Sequence, residues 1–220
     1  MKYIIMCGGQ YTNWEKPRQL LKIKGETIIA RTIRLLKENG AKDIFISSNN
    51  PIFNIYAPVL RHKNDYIAGN HNIYKGHWNE CFYLTDEPTT YLFGDVVFSP
   101  EAIKTIIETE VKGIMLFASA PPFSKRYTKP YAEPFALKVE NPAKLKESIT
   151  RTNQAESLGL FNRKPIMWEL WQVICGTTLN FIDYDSYVHI NDYTCDVDFI
   201  SDLEKIEGVT RCPICGSEVE

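Results

Sequence analysis

A glycine pair, two cations and three aspartates are the residues of this chain best suited to chemistry. Gly8-Gly9 follows the apolar run Tyr3-Ile4-Ile5-Met6, and Lys16 and Arg18 stand a short loop beyond it. Glycines let backbone N–H groups close on a phosphate chain, and a nearby cation neutralises its charge. Asp95 follows a second apolar run, Thr90-Tyr91-Leu92-Phe93, behind Gly94. A carboxylate just past a strand of an α/β sheet lies where such sheets bind ligands. It suits Mg²⁺, which takes one or two carboxylates together with phosphate oxygens and waters. Asp196 and Asp198 alternate along a short extended stretch and so share a side. One of them is placed to share a cation with Asp95, the other to cap the helix that follows. Each feature also has a plainer reading: a turn for the glycines, a cap or turn for the aspartates, surface charge for the cations.

The elements that must position these residues alternate between apolar runs and amphipathic segments, the pattern of an α/β protein. A strand over Lys2–Cys7, a helix over Thr27–Glu38 ended by Asn39-Gly40, and a strand over Asp43–Ser47 read as a βαβ unit with parallel strands. Residues 49–76 read as loops around one short strand. A helix over Trp78–Asp86 precedes the strand Thr90–Phe93. Ser99 and Pro100 open a helix reaching Glu110, and Gly113–Ser119 is the next strand. The stretch 119–134, with four prolines, reads as a loop or lid. Then come a strand Phe135–Val139, a helix Pro142–Ser148, an irregular stretch 150–165 and a helix Ile166–Cys175. Strands at Thr177–Ile182 and Tyr187–Ile190 and a helix Asp198–Ile206 complete the order.

At 220 residues and a formal charge of −2, the chain has room for one sizeable core and lacks the excess of positive charge that marks a nucleic-acid-binding face. It has no apolar run near the ~20 residues that span a bilayer, and its start lacks the pattern of a signal peptide. A cytoplasmic protein with no membrane or nucleic-acid partner is the expectation. Its six cysteines then read as reduced thiols. Cys212 and Cys215 form a C-x-x-C pair, half of a Zn²⁺ site. It is either a reduced tail or a site completed by other residues, for instance across a homodimer. His62, His71, His77 and His189 show no ligand spacing.

Three stretches resemble the nucleotidyltransferase family of the glycosyltransferase-A-like fold, which includes sugar-1-phosphate nucleotidyltransferases and small cytidylyltransferases. Cys7-Gly8-Gly9 through Lys16-Pro17-Arg18-Gln19-Leu20-Leu21 to Ile29 is similar to the family's glycine loop and the segment after it. Tyr91-Leu92-Phe93-Gly94-Asp95-Val96-Val97-Phe98 is similar to its metal-binding strand end, and Asp196-Val197-Asp198 leading to Asp202-Leu203 to its closing motif. The resemblance implies a three-layer αβα sandwich with a mostly parallel mixed sheet. It implies a nucleotidyltransferase domain over residues 1–207, followed by a short tail, 208–220.

The resemblance also implies roles. Cys7, Gly8, Gly9, Gln10, Asn79 and Gly94 would bind the nucleotide, Asp95 and Asp198 the Mg²⁺. Arg18, or Lys16 one alignment step away, would stabilise the α-phosphate. Lys125, Arg126 and Lys138 are expected at the acceptor phosphate, with Lys129, Arg151 and Arg163 as further candidates. Tyr127, Tyr131, Trp168 and Trp171 could wall the acceptor, although core packing suits the tryptophans equally. The partners implied are a nucleoside triphosphate and a phosphorylated small acceptor. The loop after Gly9 lacks the arginine usual in the family. Two alternatives therefore stand beside the transferase reading. One is a glycosyltransferase of the same fold, which would carry Asp-x-Asp where this chain has Gly94-Asp95-Val96-Val97. The other is a nucleotide-binding protein without catalysis.

Overall fold

A computed structural model describes residues 1–8, 10–11, 16–61, 67–68, 77–123 and 129–208. The strands are β1 (Lys2–Met6), β2 (Gln10–Tyr11), β3 (Lys22–Ile23), β4 (Glu26–Thr27), β5 (Asp43–Ser47), β6 (Val59–Leu60) and β7 (Ile67–Ala68), then β8 (Thr89–Phe93), β9 (Val96–Val97), β10 (Ile114–Ser119), β11 (Pro134–Val139), β12 (Val188–Ile190) and β13 (Cys195–Asp196). The helices are α1 (Ile28–Glu38), α2 (Pro100–Glu108), α3 (Pro142–Ser157), α4 (Met167–Cys175) and α5 (Ile200–Glu207).

Seven strands form the main sheet in the order β12-β10-β11-β8-β1-β5-β6. β1 lies parallel to β5 and β8, β5 to β6, and β10 to β12, whereas β11 runs antiparallel to both β8 and β10. β11 is thus the single reversed strand of a parallel sheet, the mixed sheet expected. Alternation along β1 divides the core. Tyr3, Ile5 and Cys7 pack with Ile29, Ile33 and Leu36 of α1 and Ala102, Ile103 and Ile106 of α2. Ile4 and Met6 pack with Leu145 and Ile149 of α3 and Leu170, Trp171 and Ile174 of α4. One strand buried on both faces accounts for its unbroken apolar run. The result is the αβα sandwich.

Local signals explain the element ends. Thr27 caps α1 by accepting from the Ala30 amide at 3.3 Å, and Ser99 caps α2 by accepting from the Ala102 amide at 2.8 Å. The tight turn between β3 and β4 places Lys24 at φ 49° and Gly25 at φ 89°, the geometry of a two-residue hairpin.

Four sequence expectations are corrected. In place of a helix over Trp78–Asp86 there is one 3₁₀ turn, Trp78–Cys81. Beyond it the Thr85 hydroxyl bonds to the Glu87 carbonyl, competing with helix formation ahead of Pro88. The helix expected to stop at Ser148 continues to Ser157, because Leu145, Ser148, Ile149, Thr152 and Ala155 keep one face buried. Much of that face is small and polar, so apolar periodicity does not reveal it. The expected strand Thr177–Ile182 is irregular: Gln172 accepts from the Asn180 amide at 2.7 Å, and Asn180 donates to the Leu160 carbonyl at 3.0 Å. The last helix begins at Ile200 rather than Asp198, which leaves Asp198 extended. Among the described residues no helix is long and apolar enough to cross a membrane.

Candidate active site

Two neighbouring strands end at the site. β1 runs into Cys7-Gly8 and β8 into Gly94-Asp95, and the chain leaves β1 towards β5 on the opposite side from β8. Such a divergence opens a crevice at the carboxyl ends of the strands. Gly94 extends the ladder, donating its amide to the Met6 carbonyl at 3.0 Å. A Cβ there would stand 2.5 Å from that carbonyl oxygen and 2.7 Å from Cys7 Sγ. Gly94→Ala is therefore expected to force the two strand ends apart at a cost of about 3 kcal/mol, read from urea unfolding. A cost below about 1 kcal/mol would show that the ladder yields freely.

The other two aspartates arrive from far along the chain. β13 pairs antiparallel with β9, and the Val197 amide donates to the Asp95 carbonyl at 3.0 Å. Beneath this pairing Ile23, Ile28, Val97, Cys195, Val197 and Ile206 form a small core of their own. It fastens the β3–β4 hairpin and α5 to the strand ends. Asp202 then caps the last helix, accepting from the amides of Asp198 and Phe199 at 3.0 and 2.9 Å. Neither Asp196 nor Asp198 is the cap that was expected, so both carboxylates are left to the site.

Two cations knit these acids together. Arg18, on a one-turn 3₁₀ helix Arg18–Leu20, makes an ion pair of 2.6 Å with Asp95 Oδ2 and one of 2.5 Å with Asp198 Oδ1. It also donates to the Val197 carbonyl at 2.7 Å. Lys129 bonds to Asp196, to Asp198 Oδ2 at 2.6 Å and to Glu133 at 3.5 Å, with Asp202 at 3.9 Å. Five carboxylates thus share two cations.

Their ionisation follows. Burial pushes the Asp95 carboxyl up against the opposing pull of Arg18. Burial, then the neighbouring Glu133, pushes Asp196 well up. For Asp198, burial is outweighed by the bonds and charge of Lys129 and Arg18, which hold it below the usual range. Burial and Asp95 together raise the Cys7 thiol well above its usual range.

A cavity of about 300 Å³ opens over this cluster. Gly8, Arg18, Asp95, Asp196 and Asp198 line one part, and Met6, Trp78, Phe93, Ile166 and Met167 line the other. The wall thus joins an anionic floor to an apolar face, a combination suited to a metal-bound phosphate chain with an organic group beside it. Among the described residues no three metal-binding side chains converge as a ready-made cage. Asp95 and Asp198 nevertheless fit Mg²⁺. They are hard oxygen donors within reach of one guanidinium, in a cluster with surplus negative charge, and Mg²⁺ draws its other ligands from phosphate and water.

The structure brings Gly8, Arg18, Gly94, Asp95 and Asp198 together, as the sequence suggested. The buried Cys7 side chain packs in the core beneath α1 and α2. Asn79 is buried and donates to Asn153 Oδ1 at 3.0 Å. Lys16 is exposed and does not line the cavity. Trp168 and Trp171 are core residues, the latter donating to Ser186 at 2.9 Å. Arg151 pairs with Glu147 at 2.6 Å and Arg163 with Glu169 at 2.7 Å, both away from the cavity lining. Gly9, Lys125, Arg126, Tyr127, Cys212, Cys215 and the Gln10 side chain lie outside the described residues.

Lys138 is a correction. Because β11 runs backwards, Lys138 pairs with Thr90 near the start of β8, at the end of the sheet opposite Asp95. Its ammonium donates to the carbonyls of Ile106, Ile107 and Thr109 at 3.2, 2.9 and 2.7 Å, closing the end of α2. Lys138→Met is expected to cost about 2–3 kcal/mol of stability without altering turnover. A selective rise in acceptor KM would return it to the site. Sequence reading offered Lys129 as a ligand of the acceptor phosphate, whereas it pairs with the carboxylates of the site, and passed over Glu133. Their only local signal is the four-residue spacing ahead of β11.

No family model matches the chain. It is 30% identical over 122 residues to the bifunctional IPC transferase and DIPP synthase of Thermococcus kodakarensis, a stretch covering 54% of this chain and 28% of that protein. The chain thus spans under a third of that relative's length. Among solved structures, the inositol-1-phosphate CTP transferase from T. maritima superposes with a TM-score of 0.53 at 14% identity, covering 94% of this chain and 97% of its own. The CTP:phosphocholine cytidylyltransferase of Streptococcus pneumoniae gives 0.52 at 13% identity, covering 94% and 97%. A Bacillus anthracis protein assigned as a glucose-1-phosphate thymidylyltransferase gives 0.57 at 14% identity, covering 94% of both chains. The fold is that of the nucleotidyltransferases. Within this nucleotidyltransferase fold the cavity lies where β1 and β8 end, and Asp95 and Asp198 face it together.

Proposed function

We propose that the chain is a Mg²⁺-dependent nucleotidyltransferase, joining a nucleoside monophosphate from a triphosphate to a phosphorylated sugar or small alcohol and releasing pyrophosphate. One observation carries the reading: Gly8, Asp95 and Asp198, from three separate stretches, line one cavity together with Arg18. The named relatives that use CTP and phosphorylated alcohols support a cytidylyl donor and an acceptor of that kind.

Asp95 and Asp198 would hold the Mg²⁺, which when bound supplies neutralising charge to the phosphates. Gly8 lets the backbone approach the phosphate chain. The acceptor's phosphate oxygen attacks the α-phosphorus, the bond to the β-phosphate bridge breaks, and pyrophosphate departs with its electron pair. Arg18 stabilises the charge that builds on the α-phosphate oxygens. The apolar face of Trp78, Phe93 and Met167 takes an organic portion of the substrates and excludes water. No covalent intermediate with the protein is required.

The test is pyrophosphate release with Mg²⁺, each common triphosphate in turn, and phosphocholine, inositol-1-phosphate or glucose-1-phosphate as acceptor. Release that needs both a triphosphate and an acceptor supports the reading. No release with any pair, in protein that is folded, overturns it.

A further inference from the structure

We infer that Arg18 is an exchangeable counter-ion. Its guanidinium bridges Asp95 and Asp198, and it leaves them when a divalent cation enters. The inference rests on the transferase reading above for the identity of the two metal carboxylates. One planar group spans both of them, at 2.6 Å to Asp95 Oδ2 and 2.5 Å to Asp198 Oδ1. The other oxygen of Asp198 is taken by Lys129 at 2.6 Å. An incoming cation therefore meets Arg18 at Asp198 Oδ1, and two positive groups on one oxygen repel strongly in a partly desolvated site.

The two basic residues differ in what they face. Lys129 has 5% of its side chain exposed and sits among Asp196, Asp198, Glu133 and Asp202. It does not line the cavity. Arg18 does, from a helix of one turn, on the same wall as Gly8. Released from the carboxylates, it faces the space where phosphate oxygens would accept both of its terminal N–H groups. Lys129 stays as the fixed counter-ion of Asp198, and Arg18 exchanges carboxylates for phosphate. Cation entry and triphosphate binding then favour one another through a single side chain, and this coupling is reciprocal.

The test measures Mn²⁺ binding by calorimetry, with no nucleotide present, for wild type, Arg18→Gln and Arg18→Lys, each checked for folding by circular dichroism. Arg18→Gln removes the competitor and should bind Mn²⁺ about tenfold more tightly. Arg18→Lys keeps the charge but loses the fork that spans two carboxylates, so it should fall near Arg18→Gln. Arg18→Lys matching wild type would assign the effect to charge alone and overturn the bridge. Equal or weaker binding by Arg18→Gln would overturn it as well. Mn²⁺ binding by none of the three would remove the metal site itself, a failure that the pyrophosphate assay detects separately.

Discussion

Replacing Asp95 by asparagine is expected to lower pyrophosphate release by about 10²–10³-fold while leaving the chain folded and its melting temperature unchanged or higher. The two halves of this result have one cause. Asp95 is held just past the end of β8, where burial disfavours its ionised form and the Arg18 charge opposes the penalty. Asparagine keeps the shape and removes the charge, so folding no longer requires a carboxylate in that place. Arg18 retains Asp198 at 2.5 Å and the Val197 carbonyl at 2.7 Å, so no cation is stranded. The lost charge matters only once a cation and a phosphate chain must be held. A site whose central acid costs stability is one shaped by function rather than by folding. Steady-state kinetics beside thermal melts would separate the two. Asp95→Asn with wild-type turnover would remove Asp95 from the reaction, and a variant that fails to fold would make it a structural acid.

How much of this could be read from the chain depends on the range of each interaction. The β1–α1–β5 unit was legible because its signals are local: an apolar run, a capping threonine and a closing Asn39-Gly40. Asp95 and Asp198 were legible as short motifs, since a glycine before an acid and an alternating acid pair survive without knowledge of the fold. The bonds that organise them were not. Arg18 and Asp198 are 180 positions apart, and Lys129 and Asp198 are 69 apart. No periodicity links such residues, so Lys129 read as an acceptor-phosphate candidate in a proline-rich loop rather than as a partner of the aspartates. Lys138 was misplaced because the reversal of β11 cannot be seen in a six-residue apolar strand. The length of α3 was hidden for a different reason: Ser148 and Thr152 bury as well as leucine against a neighbouring helix when their hydroxyls bond back to the backbone, as Thr152 does to the Ser148 carbonyl at 2.8 Å.

Lys129→Met should be the most destabilising single change at the site. The ammonium is 5% exposed and faces Asp196, Asp198, Glu133 and Asp202. Methionine fills the same volume but leaves these acids without their shared cation. Removing one partner of a buried ion pair costs about 3–5 kcal/mol. The lower end applies here, because Asp198 is 38% exposed and water screens part of its charge. For a domain of this size about 3 kcal/mol corresponds to a fall of roughly 6–12 °C in Tm. Two controls separate charge from packing. Glu133→Gln in the Lys129→Met background removes one of the stranded acids and should recover part of the loss, since the two positions share one cluster. Lowering the pH towards the carboxylate range should also narrow the gap to wild type, because a protonated acid needs no counter-ion. If the gap persists unchanged in acid, the loss arises from packing, and Lys129 is not the charge that holds the aspartates in place.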